Sequence, residues 1–270
     1  MDKRLLTPAE AVLLLAPRGA TAKKCIQAGL LSLLDSGHIA IEHLRHRPKQ
    51  SALLLTEPLV PAATRLPAHL SVLKQALASY GKGDRLTGSQ VMSALQKRFG
   101  HDLTRYVHRE VAPSLMARAL LARQDTKWLG WFPRIQYHRL PPGDDLAAPL
   151  EQLMIAVDRM PLLMRTDPEQ AIRLARSAGV LLILSPRTRR ALPKLRKLLA
   201  DRGDDGDLVY MPLDGDRVPK WERVLELGDM ALTFDLASLF DGLDAVGDLT
   251  SSADGSSDGG GDDGGGGGGD

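Results

Sequence analysis

The stretch that most constrains this chain is Arg105 to Leu140, where the apolar period switches from helical to extended within a few residues. Val107, Val111, Leu115, Ala119 and Leu120 recur at the spacing of one buried helical stripe. Arg105, His108, Arg109 and Arg118 take the remaining positions, so the helix is basic on its outer side. Leu120 to Arg123 then reads as a short extended run and Gln124 to Lys127 as a polar turn. Trp128 to Tyr137 reads as a strand rich in aromatic and β-branched residues, ending before Pro141-Pro142. Trp128, Trp131 and Phe132 fall within five residues of a chain that is only 4% aromatic, so the cluster needs a reason. One reading is a plug that packs beneath the helices. The other is a membrane or partner contact, because Trp favours the boundary between water and an apolar phase. The basic helix beside it would supply the anion-attracting half of such a surface.

Around this stretch the pattern is helical. Thr7-Pro8-Ala9-Glu10 opens a helix, with Thr7 as cap, Pro8 in the first turn and Glu10 completing a capping box. A second helix spans Thr21 to Ser36 with Ile26, Leu30, Leu33 and Leu34 on one face, and Gly37 ends it. His38 to Glu42 reads as a strand, Arg45 to Gln50 as a basic turn and Ser51 to Thr56 as the returning strand. Pro58, Pro61 and Pro67 mark a connector; helices follow over Ala68 to Ala78 and, capped by Thr87 or Ser89, over Gln90 to Phe99. Pro141 to Asp145 reads as a loop before a helix from Leu146 to Val157, and Asp167-Pro168 as the start of another. Ala171 to Leu184 is an apolar helix ended by Pro186. Thr188 to Leu199 is a basic amphipathic helix, with Arg189, Arg190, Lys194, Arg196 and Lys197 outward and Leu192, Leu195, Leu198 and Leu199 inward. Helix-helix-hairpin order also resembles a winged helix, which would point to nucleic acid. Neither helix, however, sets Arg, Asn or Gln on one clean outward face for reading bases. The expected fold is mainly α: a compact helical bundle decorated with β-hairpins.

Charge divides the chain. Residues 229–270 hold ten Asp and no Lys or Arg, so the preceding 228 carry 35 basic against 23 acidic side chains, a net of +12. A cationic body implies an anionic partner. Residues 1–228 are expected to form a single helical domain. Residues 229–250 read as an amphipathic acidic segment following a helical stretch from Trp221 to Leu239, with Phe234, Leu236, Leu239 and Phe240 as an apolar stripe. Residues 251–270 are a Gly/Asp-rich tail whose one apolar side chain is Ala253, a composition expected to be disordered. No run of about 18 apolar residues occurs, so no membrane span is expected. One cysteine, Cys25, excludes a disulfide framework and fits a reducing cytoplasm.

No catalytic motif is present: no HExxH, GxSxG, Walker or dinucleotide signature. His38, His43 and His46 lie near one another without a carboxylate or thiol to complete a metal set, so neither metal nor cofactor is expected. Lys23-Lys24 beside Cys25 raises the question of a lowered thiol pKa, against the plainer reading of a small packing residue.

Leu6 to Leu15, Leu30 to Glu42, Leu115 to Leu140 and Ala171 to Val180 together resemble the Golgi phosphoprotein 3 family in spacing and apolar pattern over about residues 5 to 200. The resemblance implies a mainly helical fold with hairpins that binds phosphatidylinositol 4-phosphate and holds the tails of Golgi glycosyltransferases. It maps the family's arginine pair onto Arg105 and His108, with Arg109 adjoining. It sets Lys23 and Lys24 where the family has a Trp and further Arg, and the membrane-dipping hairpin at Trp128, Leu129, Trp131 and Phe132. The expected function is a non-catalytic adaptor, cytoplasmic and peripherally membrane-associated, that binds anionic phospholipid head groups. An acidic protein partner, or nucleic acid through a winged-helix-like module, is the alternative.

Overall fold

A computed structural model describes residues 6–18, 22–43, 51–56, 66–80, 85–128, 132–179 and 181–200. Its elements are α1 Pro8–Leu15, α2 Ala22–Asp35, β1 Ile39–His43, β2 Ser51–Leu55, α3 Ala68–Ala78, β3 Arg85–Leu86, α4 Gly88–Phe99 and α5 Thr104–Tyr106. A π-helical turn, Val107–Val111, joins α5 to α6 Ala112–Ala117. There follow β4 Leu121–Trp128, β5 Phe132–Arg139, α7 Pro141–Asp158, α8 Met160–Thr166, α9 Pro168–Ala178, α10 Leu181–Leu184 and α11 Pro186–Ala200. The fold is mainly α with two small antiparallel sheets, ordered β1-β2-β3 and β4-β5.

The core is built on α2. Cys25, Ile26, Ala28, Leu30, Leu31 and Leu33 are all fully buried, because α1 and α3 pack against it. Ile26, Leu30, Leu31 and Leu33 each contribute about 1.5–3 kcal/mol by leaving water. Gly29 lets the chains close up: a Cβ there would sit 2.8 Å from both Leu73 Cδ2 and Tyr106 Oη. Tyr106 is fully buried and meets Phe99 edge-on, with ring centroids 5.1 Å apart.

The capping box at Thr7 forms, and it does more than start α1. Thr7 N–H donates to Glu10 Oε2 at 2.7 Å, and Thr7 Oγ1 accepts from the Glu10 N–H. The buried Glu10 carboxylate also accepts from the Ser114 hydroxyl, and His69 Nε2 lies 3.1 Å from Thr7 Oγ1. One polar knot therefore joins α1, α3 and α6, and its members stabilise the core because each is partnered.

Two helices end in the same way and each launches a hairpin. At α2, Gly37 takes φ 72°; its N–H reaches Leu34 O at 3.0 Å and the His38 N–H reaches Leu33 O at 2.9 Å. At α6, Ala119 takes φ 54°; its N–H reaches Met116 O and the Leu120 N–H reaches Leu115 O, both at 2.9 Å. This left-handed cap satisfies the last carbonyls and turns the chain into an extended run.

Several boundaries differ from the sequence reading. Gln124 to Lys127 is not a turn: it lies within β4, paired from Asp125↔Ile135 to Lys127↔Pro133, and the connection falls at residues 129–131. Long side chains alternating across a protruding ladder carry no apolar period, so polarity was a poor guide there. Pro141 to Asp145 is the first turn of α7, where prolines without N–H cost nothing. Gly179, at φ 51°, ends α9, and Pro186 opens α11 instead of closing the helix before it. Helix α8 had no counterpart in that reading. The basic turn at 44–50, the connector at 57–65 and everything from residue 201, including both C-terminal segments, lie outside the described residues.

Candidate functional site: the π turn and the β4–β5 arm

The helix from Thr104 to Ala117 buries Tyr106, Val107, Val111, Ala112 and Leu115, and this stripe fixes which positions face out. Arg105 and Arg109, four residues apart, are exposed, and neither forms an ion pair among the described residues. The Arg105 side chain lies over the C-cap of α4, its Nε 3.8 Å from where a Gly100 Cβ would sit. Between them the helix widens into the π turn, with Ala112 N–H bonded to Val107 O. Pro113, next along, has no N–H to return to the preceding turn. Such turns are rare and concentrate at functional sites.

His108, on the π turn, is half-buried, and its Nδ1 lies 2.8 Å from Tyr137 Oη on β5. Burial holds its pKa below the ordinary value, and the nearby Arg123 pushes the same way, so the ring is neutral at pH 7. As an anion ligand it therefore offers a hydrogen bond and no charge. Its bond to Tyr137 ties the helix to the arm.

The β4–β5 arm is anchored at its base. Leu121 and Tyr137 are buried, Leu140 N–H donates to Leu120 O at 3.0 Å, and Arg139 bridges to Asp144 at 3.1 Å and Glu151 at 2.5 Å on α7. Gly143 makes this fit possible, since a Cβ there would lie 2.1 Å from Leu120 O. Beyond the base, Arg123, Gln124, Asp125 and Lys127 of β4 are exposed, while Ile135, opposite Asp125 on β5, is half-buried against the core. Residues directly opposite share a face, so Arg123, Asp125 and Lys127 lie on the Tyr137 side. Arg123 Nε donates to Asp125 Oδ1 at 2.8 Å. Trp128 pairs with Phe132 at the far end of the ladder, about 17 Å beyond Tyr137 at the rise of a strand.

The sequence-predicted residues thus divide. Arg105, His108 and Arg109 share the helix at the base of the arm, and Trp128 and Phe132 close its far end. Leu129 and Trp131 lie outside the described residues. Lys23, half-buried, and Lys24, exposed, stand in the first turn of α2, on a different element from the arginines. They do not activate Cys25, which is fully buried with Sγ 3.5 Å from Ala9 O; burial pushes the thiol pKa up, and the residue packs. Arg123, Lys127 and Tyr137 share one face of the ladder, a grouping that the polar run Gln124 to Lys127 hides in the sequence and the strand register shows. Among the described residues no helix is long and apolar enough to cross a membrane, and no cluster of His, Cys, Asp and Glu could hold a metal ion. No protein-family model and no curated protein matches this chain.

Proposed function

We propose that the chain is a peripheral membrane adaptor that binds anionic phospholipid head groups, without catalysis. Arg105 and Arg109 would hold phosphate at the base of the arm, Arg123 and Lys127 would extend the cationic track along it, and the Trp128 to Phe132 tip would enter the lipid. The observation that carries the reading is the arm itself: β4 sets Arg123, Gln124, Asp125 and Lys127 in water, and the ladder ends at the chain's densest aromatic cluster. A two-stranded hairpin is marginal on its own, and among the described residues only the apolar Leu121, Ile135 and Tyr137 tie this one to the core, so the exposed strand gains its purpose from what it meets. The resemblance to the Golgi phosphoprotein 3 family adds a phosphoinositide head group as the candidate ligand.

The helix-helix-hairpin order α4, α5–α6, β4–β5 favours a second reading, a nucleic-acid module with the arm as wing. It is the weaker one, because the helix that would read bases turns its Tyr106, Val107 and Leu115 stripe into the core and presents two arginines.

Co-sedimentation separates the two. With low-salt vesicles of phosphatidylcholine carrying phosphatidylglycerol or phosphatidylinositol 4-phosphate, the chain should pellet. An Arg105→Gln/Arg109→Gln variant should bind about thirtyfold more weakly, at about 1 kcal/mol per surface cation. The difference should shrink as salt rises. Equal pelleting with neutral vesicles would refute the electrostatic part.

A further inference from the structure

Helix α11 carries six cations and no acidic residue. Its exposed Arg187, Arg190, Lys194 and Lys197 follow at intervals of three, four and three, which places them within one narrow stripe, while Ala191, Leu192 and Leu195 are buried. None of these four makes an ion pair among the described residues. Helix α8 packs against α11, and its Leu162 is 60% exposed, the most open large hydrophobic side chain among the described residues; Ile155 of α7 follows at 53%. A basic stripe on a helix packed against α8, which carries the exposed Leu162, fits a segment that mixes carboxylates with apolar side chains.

This chain contains such a segment. Residues 201–270 hold 18 acidic and 4 basic side chains, against 15 acidic and 31 basic in residues 1–200. Within them, Asp229, Asp235, Asp241 and Asp244 are interspersed with Phe234, Leu236, Leu239 and Phe240. We infer that residues 229–244 dock on the α11 stripe of the same molecule, their carboxylates on Arg187, Arg190, Lys194 and Lys197 and their apolar side chains on Leu162. Between Ala200 and the helical stretch expected from Trp221 lie residues 201–220. As a flexible coil they would span about 25 Å root-mean-square, and α11 itself is about 22 Å long, so the tether reaches along the stripe. Tethering at this distance gives an effective concentration in the millimolar range, which an external polyanion must exceed to reach α11. The proposal does not rest on the lipid reading, whose arginines lie on another helix.

Zero-length carbodiimide cross-linking of the full chain, read by mass spectrometry, tests it. Lys194 and Lys197 should cross-link to Asp229, Asp235, Asp241 or Asp244 within one molecule. The yield should fall in roughly 1 M salt, where the screening length is about 3 Å. Arg187→Gln/Arg190→Gln, which leaves both reporter lysines in place, should lower the yield about threefold, the effect of two exposed ion pairs. Leu162→Ser should lower it as well. All three side chains are exposed, so circular dichroism should show an unchanged fold. Cross-links spread evenly over Lys24, Lys97 and Lys127, links only between differently isotope-labelled copies, or a yield indifferent to the arginine pair would each overturn the proposal.

Discussion

The two hairpins of this molecule begin alike and end differently. Both leave a helix through a left-handed cap, Gly37 after α2 and Ala119 after α6, with the same pair of closing hydrogen bonds. The first hairpin is then covered. Strand β3 takes the free edge of β2, α2 and α4 pack on the sheet, and Ile39, Ala52 and Leu53 are buried. The second stays a two-stranded ladder, buried at Leu121 and Tyr137, with Ile135 half-buried against the core and Arg123, Gln124, Asp125 and Lys127 exposed. One hairpin is held by a covered sheet, the other by a few apolar side chains near its base. The same local device has been used once for the core and once for an arm.

The comparison breaks most easily in the core. Leu53→Ala in β2 should cost about 2–5 kcal/mol of unfolding free energy, read by chemical denaturation. Gln124→Ala, at an exposed position in the stem of the arm, should cost less than about 0.5 kcal/mol. Similar losses at the two sites would mean that the arm is part of the core. The base of the arm lies between these limits. Gly143→Ala must push α7 away from Leu120, and about 1–3 kcal/mol of destabilisation is expected.

The polar knot makes a pH prediction. Burial holds the folded His69 pKa below the ordinary 6.5, with Glu10 opposing that shift in part. The unfolded chain therefore binds its proton first as pH falls. The contribution of His69 is complete above pH 6.5 and is lost progressively as the pH drops from there toward the folded value. His69→Gln keeps a donor for Thr7 and should flatten the stability profile below pH 6.5; an unchanged slope would show that other groups dominate it. The smallest effect sharpens the comparison itself. Ala119→Gly should stabilise by about 1 kcal/mol by relieving a left-handed alanine, and Gly37→Ala should destabilise by about as much.

Much of this was legible in the residues. The Thr7 box, the Gly37 stop, both strands of the first hairpin and the inward Leu192 and Leu195 of α11 follow from local chemistry that nothing overrides. The arm was harder, because β4 from Arg123 to Lys127 is polar at every position and so shows no alternation for a sequence pattern to catch. Nor did any local signal reveal that Ser114 and His69 meet the α1 cap, since those contacts join positions 104 and 62 residues apart. The π turn was likewise invisible: Pro113 hints at an irregular helix without saying which way it relaxes.

In the proposed function the tip of the arm would enter lipid while the helix at its base would bind the negative surface. Trp221→Phe leaves Trp128 and Trp131 as the two reporters of that tip. Their fluorescence should be quenched by vesicles whose acyl chains carry bromine and whose head groups are anionic. Replacing the head groups with neutral ones, or Arg105 and Arg109 with Gln, should remove most of that quenching at low salt. Binding without quenching, or quenching indifferent to head-group charge, would contradict the account.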